Sequence, residues 1–448
     1  MTDKTQNIPD QLSGLIEACL KAGATAADAR IGVSDGVSVA VRERKLESVE
    51  RDESIGVALR CLFGQRQASV SGSDLTADNL ASLVERCVAM AKAAPEDPYC
   101  GIASPDSILT DGRDLDLGGD EEISTDVLEQ DALHAEATAL EVSGVKSIAG
   151  CGANWGRSQR WVASSNGFSS YKAGASSSLG LAVIAEDENG MERDYESRTT
   201  RYAKDRPSAE TIGKIAADRA VARLSPTKIE SQTAHVIYHR RVASSLLGAF
   251  ISAISGPSIA RGVSFLKDRM GDQVFGNGID IIDDPRRAGG LGSRCHDGEG
   301  LAVGETRLID QGRLTNWLLN GPSARQLGLA PNGFAGMGFG SPPGISTSNL
   351  FMAPGDRAPN EIMTTAGKGL LVTDMFGPSI NPNTGDYSVG VSGFWFENGE
   401  VAYPVSEVTI AGDLPGMFAR LVPASDLEFR GSMDSPSILV EDMSIAGA

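Results

Sequence analysis

The sequence predicts an α+β fold: helix and antiparallel-meander units in the N-terminal half, followed by a β-barrel-like C-terminal domain. Three observations support this prediction. Amphipathic helices are separated by runs of strand-forming residues, Asn-Gly turns join several of these runs, and the last part of the chain consists mainly of short strands between glycine-rich turns. Helices and strands that do not alternate one by one are typical of α+β chains. A length of 448 residues allows two or three domains.

The first segment, 1–115, is predicted to be an α+β domain that ends in a linker. Apolar residues recur at helical spacing over 8–23, and strand-like runs follow, the last two joined by a hairpin turn at 64–65. A second amphipathic helix is predicted over 76–93. Residues 94–122 are rich in Pro, Gly and Asp, which indicates a linker or a long surface loop.

The central segment, 116–226, is predicted to be a second α+β unit. It begins with a helix over about 125–142 and continues as a strand meander. Asn-Gly pairs at 166–167 and 189–190 predict hairpin turns, because type I′ turns need positive φ at both central residues. A fourth helix ends near 225–226.

The C-terminal segment, 227–448, is predicted to be β-rich and barrel-like. It opens with a strand over 233–239 and one helix, and then consists mostly of short strands with Gly, Asn and Pro turns. Further Asn-Gly hairpin signals stand at 277–278 and 398–399. This pattern is typical of a closed or nearly closed barrel.

The composition excludes several classes of function. A formal net charge of −19, with no basic run, repels phosphate backbones, so we expect no nucleic-acid partner. The first residues lack the pattern of a secretory signal, and no apolar stretch is long enough to cross a bilayer, so we expect no membrane partner. Six scattered cysteines without a C-x-x-C pair predict reduced thiols and a cytoplasmic location.

Two of the four histidines stand four residues apart, at His235 and His239. On a helix this spacing puts both imidazoles on one face, as in zinc peptidases. On a strand the two side chains lie about 13 Å apart, too far to share a metal ion. The intervening Val236, Ile237 and Tyr238 favour a strand, and Val236 occupies the position of the glutamate that a zinc-peptidase helix carries. We therefore interpret both as ordinary strand histidines.

A second cluster, 295–299, holds four potential ligands, Cys295, His296, Asp297 and Glu299. Such a mixture of soft and hard ligands could bind a metal ion. Two glycines within and beside the cluster favour a turn in which the carboxylates serve hydrogen bonds instead.

A third set lies in a stretch of turn residues and strand formers at 381–395. Its members Asn381, Thr384, Asp386 and Tyr387 are candidates for a substrate groove, because their polar groups could bond the backbone of a substrate. The alternative, which the composition favours, is that they cap the turn.

Several stretches of this chain resemble the TldD/PmbA family, and within it the PmbA type, which is also called TldE. The matching stretches are SIGVALRCLFGQRQASVSGSDLT (54–76), SFLKDRMGDQVF (264–275), IIDDP (281–285), DGEG (297–300), SARQLGL (323–329), NPNTGDYSVGVSGFWFENGEVAYPVSEVTIAG (381–412) and PSILVEDMSIAG (436–447). The resemblance covers nearly the whole chain, and the block at 381–412 is the most specific.

The resemblance implies a cytosolic peptidase system built from two related subunits. The TldD-type subunit carries an HExxxH helix and a distant cysteine as zinc ligands, whereas the TldE-type subunit lacks them. Together they degrade unfolded peptides and, in some bacteria, remove leaders from modified peptide antibiotics. The older label, modulator of DNA gyrase, is thought to reflect proteolysis rather than contact with DNA.

The helix that follows the two histidines contains the positions that correspond to HExxxH. Counted back without gaps from Ser264, these positions fall on 246–251. Leu246 and Ile251 then stand at the ligand positions, and Leu247 stands at the position of the general base. All three are apolar.

The late zinc-ligating cysteine of the family is expected near 430–436, but no cysteine follows Cys295. We therefore expect no metal, no cofactor and no catalytic residue in this chain, with zinc in a TldD-type HExxxH partner. In this hypothesis the chain shapes the cavity for a peptide or an unfolded protein. Two alternatives stay open: an autonomous metallohydrolase that uses His235 and His239 or the 295–299 cluster, and a non-enzymatic regulatory protein that forms a homodimer.

Overall fold

A six-stranded antiparallel sheet organises the first half of the chain. The structure is a computed structural model that describes residues 7–110 and 112–447. The strands are β1 (Ala26–Arg42), β2 (Lys45–Phe63), β3 (Arg66–Gly72), β4 (Val145–Ser164), β5 (Ser169–Asp187) and β6 (Gly190–Thr200). Their order is β3-β2-β1-β4-β5-β6, so β1 pairs with β4 across the predicted linker. The segments 1–115 and 116–226 therefore share one sheet, and their division into two domains stays a prediction.

Four helices cover one face of this sheet: α1 (Ile8–Lys21), α2 (Ala77–Ala93), α3 (Thr125–Leu140) and α4 (Ala209–Ala222). Successive strand residues point to opposite faces. On β1, Ile31 and Val37 are accordingly buried with the residues of these helices. Arg30 points to the opposite face, where its guanidinium donates to the carbonyl oxygen of Gly338 in the C-terminal half.

A closed barrel forms the centre of the C-terminal half. Its strands are β7 (Gln232–Tyr238), β14 (Lys368–Ile380), β15 (Asp386–Glu397), β16 (Glu400–Asp413) and β19 (Ile438–Ala446). The order β16-β15-β14-β7-β19 closes because β19 also pairs with β16. Inward side chains such as Tyr238, Val389 and Ile410 are at most 1% exposed and form the main core. The prediction of an α+β chain with a barrel-like C-terminal part is confirmed.

Most of the remaining elements lie between β7 and β14. The helices are α5 (Arg240–Ala253), α6 (Gly256–Ala260), α7 (Gly321–Leu327) and α8 (Pro359–Ala366), and α9 (Leu414–Arg420) follows the barrel strand β16. The short strands are β8 (Ile281–Asp283), β9 (Thr306–Asp310), β10 (Arg313–Leu314), β11 (Ala335–Gly336), β12 (Gly344–Ile345), β13 (Leu350–Met352), β17 (Val422–Pro423) and β18 (Met433–Asp434). Two 3₁₀ turns occur at Pro105–Ser107 and Ala203–Asp205. Within the described residues, no helix combines the length and apolar character needed to cross a membrane.

Three of the four Asn-Gly predictions are confirmed. The pairs at 166–167, 189–190 and 398–399 join β4 to β5, β5 to β6 and β15 to β16. The pair at 277–278 is a turn in which Gly278 has φ +82°. It lies in the loop between helix α6 and strand β8, and therefore does not join two paired strands. The hairpin prediction is wrong there, because positive φ serves any tight turn and says nothing about the flanking strands.

Candidate functional site

The two histidines that suggested a metal site have separate surroundings. His235 lies on β7, where its Nδ1 is 3.9 Å from a carboxylate oxygen of Asp442. His239 does not belong to the strand: it is the N-cap residue of α5, and its Nδ1 accepts a hydrogen bond of 3.3 Å from the amide of Arg241. Burial lowers the pKa of His239 to about 4. Each imidazole therefore has its own structural contact.

The carboxylates of the 295–299 cluster hold backbone in place. One oxygen of Asp297 accepts hydrogen bonds of 2.9 Å from the amides of Glu299 and Leu301, and the other accepts from the amide of Ala335. Glu299 accepts a hydrogen bond of 2.6 Å from the amide of Gly321. Burial raises the pKa of both carboxyl groups. The cluster is built as a turn that ties three segments together.

The α5 positions predicted to correspond to HExxxH face the C-terminal core. Leu246 and Leu247 are each 1% exposed, and Ile251 is partly buried against the same core. A metal ion held by side chains at 246 and 247 would lie among apolar groups. That environment disfavours a divalent cation.

The first turns of α5 line a cavity of about 270 Å³, which we call the α5 cavity. From the helix, Arg240, Arg241 and Ser244 reach it, and β6 and the segment 428–435 form its other walls. The fold thus brings α5 and the predicted late-cysteine segment together. Of the α5 side chains that line the α5 cavity, Ser244 lies nearest in sequence to the positions that correspond to HExxxH, two residues before Leu246.

Arginine–carboxylate pairs surround the α5 cavity. Glu196 on β6, which is 4% exposed, accepts from Arg219 at 2.5 Å and from Arg430. Glu428 is paired with Arg240 at 2.9 Å. These contacts join β6, α4, α5 and the C-terminal segment.

A further pair anchors the start of α5 to the N-terminal sheet. The Arg241 guanidinium lies 2.7 Å from a carboxylate oxygen of Asp194 and stacks over the ring of Tyr195. Asp194 is 3% exposed. The two halves of the chain are therefore held in register at this cavity by buried charges.

These side chains do not fit a zinc ion. Zinc sites in proteins use three or four His, Cys, Asp or Glu ligands. Over residues 7–110 and 112–447, no group of three such side chains is placed to hold a metal ion. The remaining acid of the segment, Asp434, accepts from the amides of Arg430 and Gly431 with one oxygen. Neighbouring guanidinium groups repel a divalent cation.

The substrate-groove candidates lie at the tip of the hairpin between β14 and β15. The hydroxyl of Thr384 donates to Asp386 at 2.6 Å, and the amide of Asp386 donates to the Thr384 hydroxyl at 3.4 Å. Asn381 accepts from the amide of Asn383. Tyr387 is 4% exposed in the barrel core. Three candidates thus organise the exposed turn and one packs inside the barrel, so their contact with substrate stays a prediction.

Sequence comparison places this chain among known proteins. Models of the PmbA/TldA metallopeptidase match it in three parts: domain 1 over 27–91, the central domain over 119–224 and the C-terminal domain over 231–447. The metalloprotease PmbA of Escherichia coli O157:H7 is 34% identical over 423 residues, which cover 94% of this chain and 92% of that protein. The chain belongs to the TldD/PmbA family.

Other members of the TldD/PmbA family match over similar lengths. The metalloprotease PmbA homolog of Haemophilus influenzae is 33% identical over 445 residues, or 99% of this chain and 96% of that one. A crystallised protein of Bacteroides thetaiotaomicron, named for modulation of DNA gyrase, has a TM-score of 0.92 at 24% identity, covering 99% and 100% of the two chains. TldE of Thermococcus kodakarensis has a TM-score of 0.86 at 18% identity, covering 98% and 100%. The two structural matches show a shared fold.

The α5 cavity was not identified from the sequence, although one signal was present. Arg240 and Arg241 stand in the first turn of α5. Basic residues are unfavourable there, because the N-terminal end of a helix carries partial positive charge. Two consecutive arginines at a helix start therefore indicate carboxylates from another element.

Proposed function

We propose that this chain is the TldE-type subunit of a heteromeric zinc metallopeptidase. A TldD-type partner supplies the zinc ligands, and this chain, without zinc, helps to enclose a peptide or unfolded protein in the cytoplasm. The observation that carries the proposal is the α5 cavity. There α5 and the segment 428–435 face each other with arginine, serine and paired carboxylates.

The family relationship supports the peptidase part of this proposal. Relatives that align over nearly the full length are named metalloproteases. A chain with the same fold is named TldE. The ion pairs around the α5 cavity support the division of labour, because a guanidinium cannot ligate a metal and stays charged at any physiological pH. In this subunit the ion-paired residues of the α5 cavity stabilise the interface between the N-terminal and C-terminal halves of the chain.

The test is to purify the full chain alone and together with a TldD-type chain that carries HExxxH. Zinc is measured by elemental analysis, assembly by light scattering, and cleavage with an unfolded protein as substrate. For the single chain we expect no stoichiometric zinc and no cleavage. For the mixed complex we expect stable assembly, stoichiometric zinc and cleavage. A partner whose HExxxH glutamate is replaced by glutamine is the control, since it should assemble without activity.

Two outcomes would contradict the proposal. Stoichiometric zinc with cleavage by the single chain would favour an autonomous metallohydrolase. Recovery of self-associated chain only, with no mixed complex under any condition in which both chains are folded, would favour the homodimeric regulatory protein.

A further inference from the structure

A second and larger cavity, of about 670 Å³, lies on the face of the N-terminal sheet that carries no helices. Residues within 109–110, 112–118 and 294–298 form its other walls. Among its described lining residues, five side chains are cationic and two are carboxylates. This excess of positive charge occurs in a chain with a formal net charge of −19. We call it the basic cavity.

Two of the cations stand directly opposite each other on neighbouring strands. Arg160 on β4 pairs in register with Lys172 on β5. Both side chains are exposed and line the basic cavity. Like charges at directly opposed positions destabilise a sheet. Residues that are kept at a cost to stability are typical of functional sites.

Arg30 adds a third cation on the same face of the sheet. It is 4% exposed, and it shares the carboxylate of Asp28 with Arg60, so two guanidinium groups face one buried carboxylate. The Nε of Arg30 has no hydrogen-bond acceptor among the described residues. Arg30 therefore places a buried guanidinium, with one donor unpaired, in the lining of the basic cavity.

Arg294 is a fourth cation of the lining, on a wall formed by the segment 294–298, whereas Lys172 stands on the sheet. Arg294 donates to the carbonyl oxygen of Ser346 at 2.7 Å, and its Nε has no acceptor within the described part of the chain. The Lys172 amine donates to the carbonyl oxygen of Ser293 at 2.6 Å. Although much of this side chain is exposed, desolvation of the amine and the neighbouring cations lower its pKa to about 8.

The two lining carboxylates are already engaged. Asp297 accepts from three backbone amides, as described above. Asp114 accepts a hydrogen bond of 2.9 Å from the amide of Asp116. Neither carboxylate forms an ion pair with Arg160 or Lys172 within the described residues. Arg160 and Lys172 therefore have no carboxylate partner among the described residues, and their charges face the cavity.

We propose that the basic cavity binds the carboxylate groups of an acidic peptide. Arg30, Arg160 and Lys172 lie on the adjacent strands β1, β4 and β5. Strands in a sheet are about 4.8 Å apart, so the backbones that carry the outer two cations are separated by roughly 10 Å across the sheet. An extended peptide places alternate side chains about 7 Å apart on one side, a spacing that lets two carboxylates meet cations on different strands. The choice of a peptide as the ligand rests on the proposed peptidase function.

Direct binding to the full chain tests this assignment, without zinc, partner or activity. The probe is the fluorescent peptide Glu-Ala-Glu-Ala-Glu, measured by anisotropy at low salt, with Gln-Ala-Gln-Ala-Gln as the neutral comparison. The test variant carries Arg160→Gln and Lys172→Gln together. The matched control is Arg157→Gln, on the same strand, exposed and outside the lining of the basic cavity.

We expect saturable binding of the acidic peptide, at least roughly tenfold weaker binding in the double variant, and unchanged binding in the control. We also expect a higher Tm for the double variant, because the like-charge pair is removed. No binding, equal binding of the neutral peptide, or full binding by the double variant would overturn the proposal. Competition by inorganic phosphate at lower concentration than the peptide would assign the cavity to a compact anion instead. Failure of the metallopeptidase proposal would leave the binding result unaffected.

Discussion

His239 couples the start of α5 to pH through a single hydrogen bond. Its neutral Nδ1 caps the helix by accepting from the amide of Arg241. Burial and the cations Arg219 and Arg240 lower its pKa to about 4 in the folded protein. In the unfolded chain the same group titrates near its ordinary pKa of about 6.5. The unfolded state therefore binds more protons between these values, and stability falls as pH falls through that window.

For wild type we expect this group alone to remove about 2 kcal/mol of unfolding free energy between pH 7 and pH 5. In His239→Ser the hydroxyl can still cap the helix but does not titrate. The difference in unfolding free energy between wild type and variant, measured in urea at both pH values, should therefore shift by about 2 kcal/mol in favour of the variant at pH 5. An equal difference at both pH values would show that folding does not lower the pKa of His239.

At the residue scale, sequence reasoning identified the kinds of side chain but not their roles. It predicted that His235 and His239 lie too far apart to share a metal ion, because the β-branched residues between them favour a strand. It did not show that His239 lies just beyond that strand, as the N-cap residue of α5. The direction of Leu246 and Ser244 on α5 also depends on which side of the helix meets the core, and spacing alone does not give that information.

Helix α5 has its apolar stripe where the family's metal ligands were expected. Leu246 and Leu247 are buried in the C-terminal core. A graft of HExxxH through Leu246→His, Leu247→Glu and Ile251→His would bury polar and charged side chains without partners in an apolar core. We expect a loss of about 4 kcal/mol or more in urea-unfolding free energy and no stoichiometric zinc. The control Ser244→His, at the α5 cavity, should retain most of the native stability. A grafted variant with native stability and one bound zinc ion would show that positions 246, 247 and 251 can form a zinc site, contrary to this prediction.

The junction of β6, α4 and the C-terminal segment depends on Glu196. Three arginines, Arg198, Arg219 and Arg430, lie around this buried carboxylate. In Glu196→Gln they would lose their common counter-charge, and we expect unfolding free energy in urea to fall by about 3–5 kcal/mol.

The matched control is Glu186→Gln on the neighbouring strand. Glu186 forms an exposed ion pair with Lys146. Exposed pairs contribute little, so its replacement should cost less than about 1 kcal/mol. Similar losses in the two variants would contradict the role that the structure gives to Glu196.

At the element scale, local signals predicted local structure. The amphipathic stripes placed α1 and α2 within a few residues, and three Asn-Gly pairs placed three hairpins. The pairing of β1 with β4 could not be predicted, because more than 100 residues separate the strands and alternation does not fix register with a distant partner. The basic cavity depends on the pairing of β1 with β4 and of β4 with β5, because these pairings bring Arg30, Arg160 and Lys172 onto one face of the sheet.

At the scale of the whole molecule, buried charges join the N-terminal sheet directly to the barrel, in addition to the ion pairs at the α5 cavity. Arg223, just after α4, lies 3.4 Å from Asp194 on β6 and 3.3 Å from Asp374 on the barrel strand β14. It also donates to the hydroxyl of Ser392 on β15 at 2.7 Å. One guanidinium thus connects two sheets that otherwise have separate cores.

Arg223→Gln should therefore weaken the coupling between the two halves more than it weakens the hydrophobic core of either half. We expect a loss of about 3 kcal/mol. We also expect urea unfolding to separate into two transitions, each with a smaller m-value than the single wild-type transition, because each half would expose its own surface independently. The control is Arg193→Gln, an exposed arginine on β6, which should leave one transition. Far-UV circular dichroism and tryptophan fluorescence monitor the same titration. A single transition in Arg223→Gln, followed by both probes, would show that the halves are coupled by contacts other than this arginine.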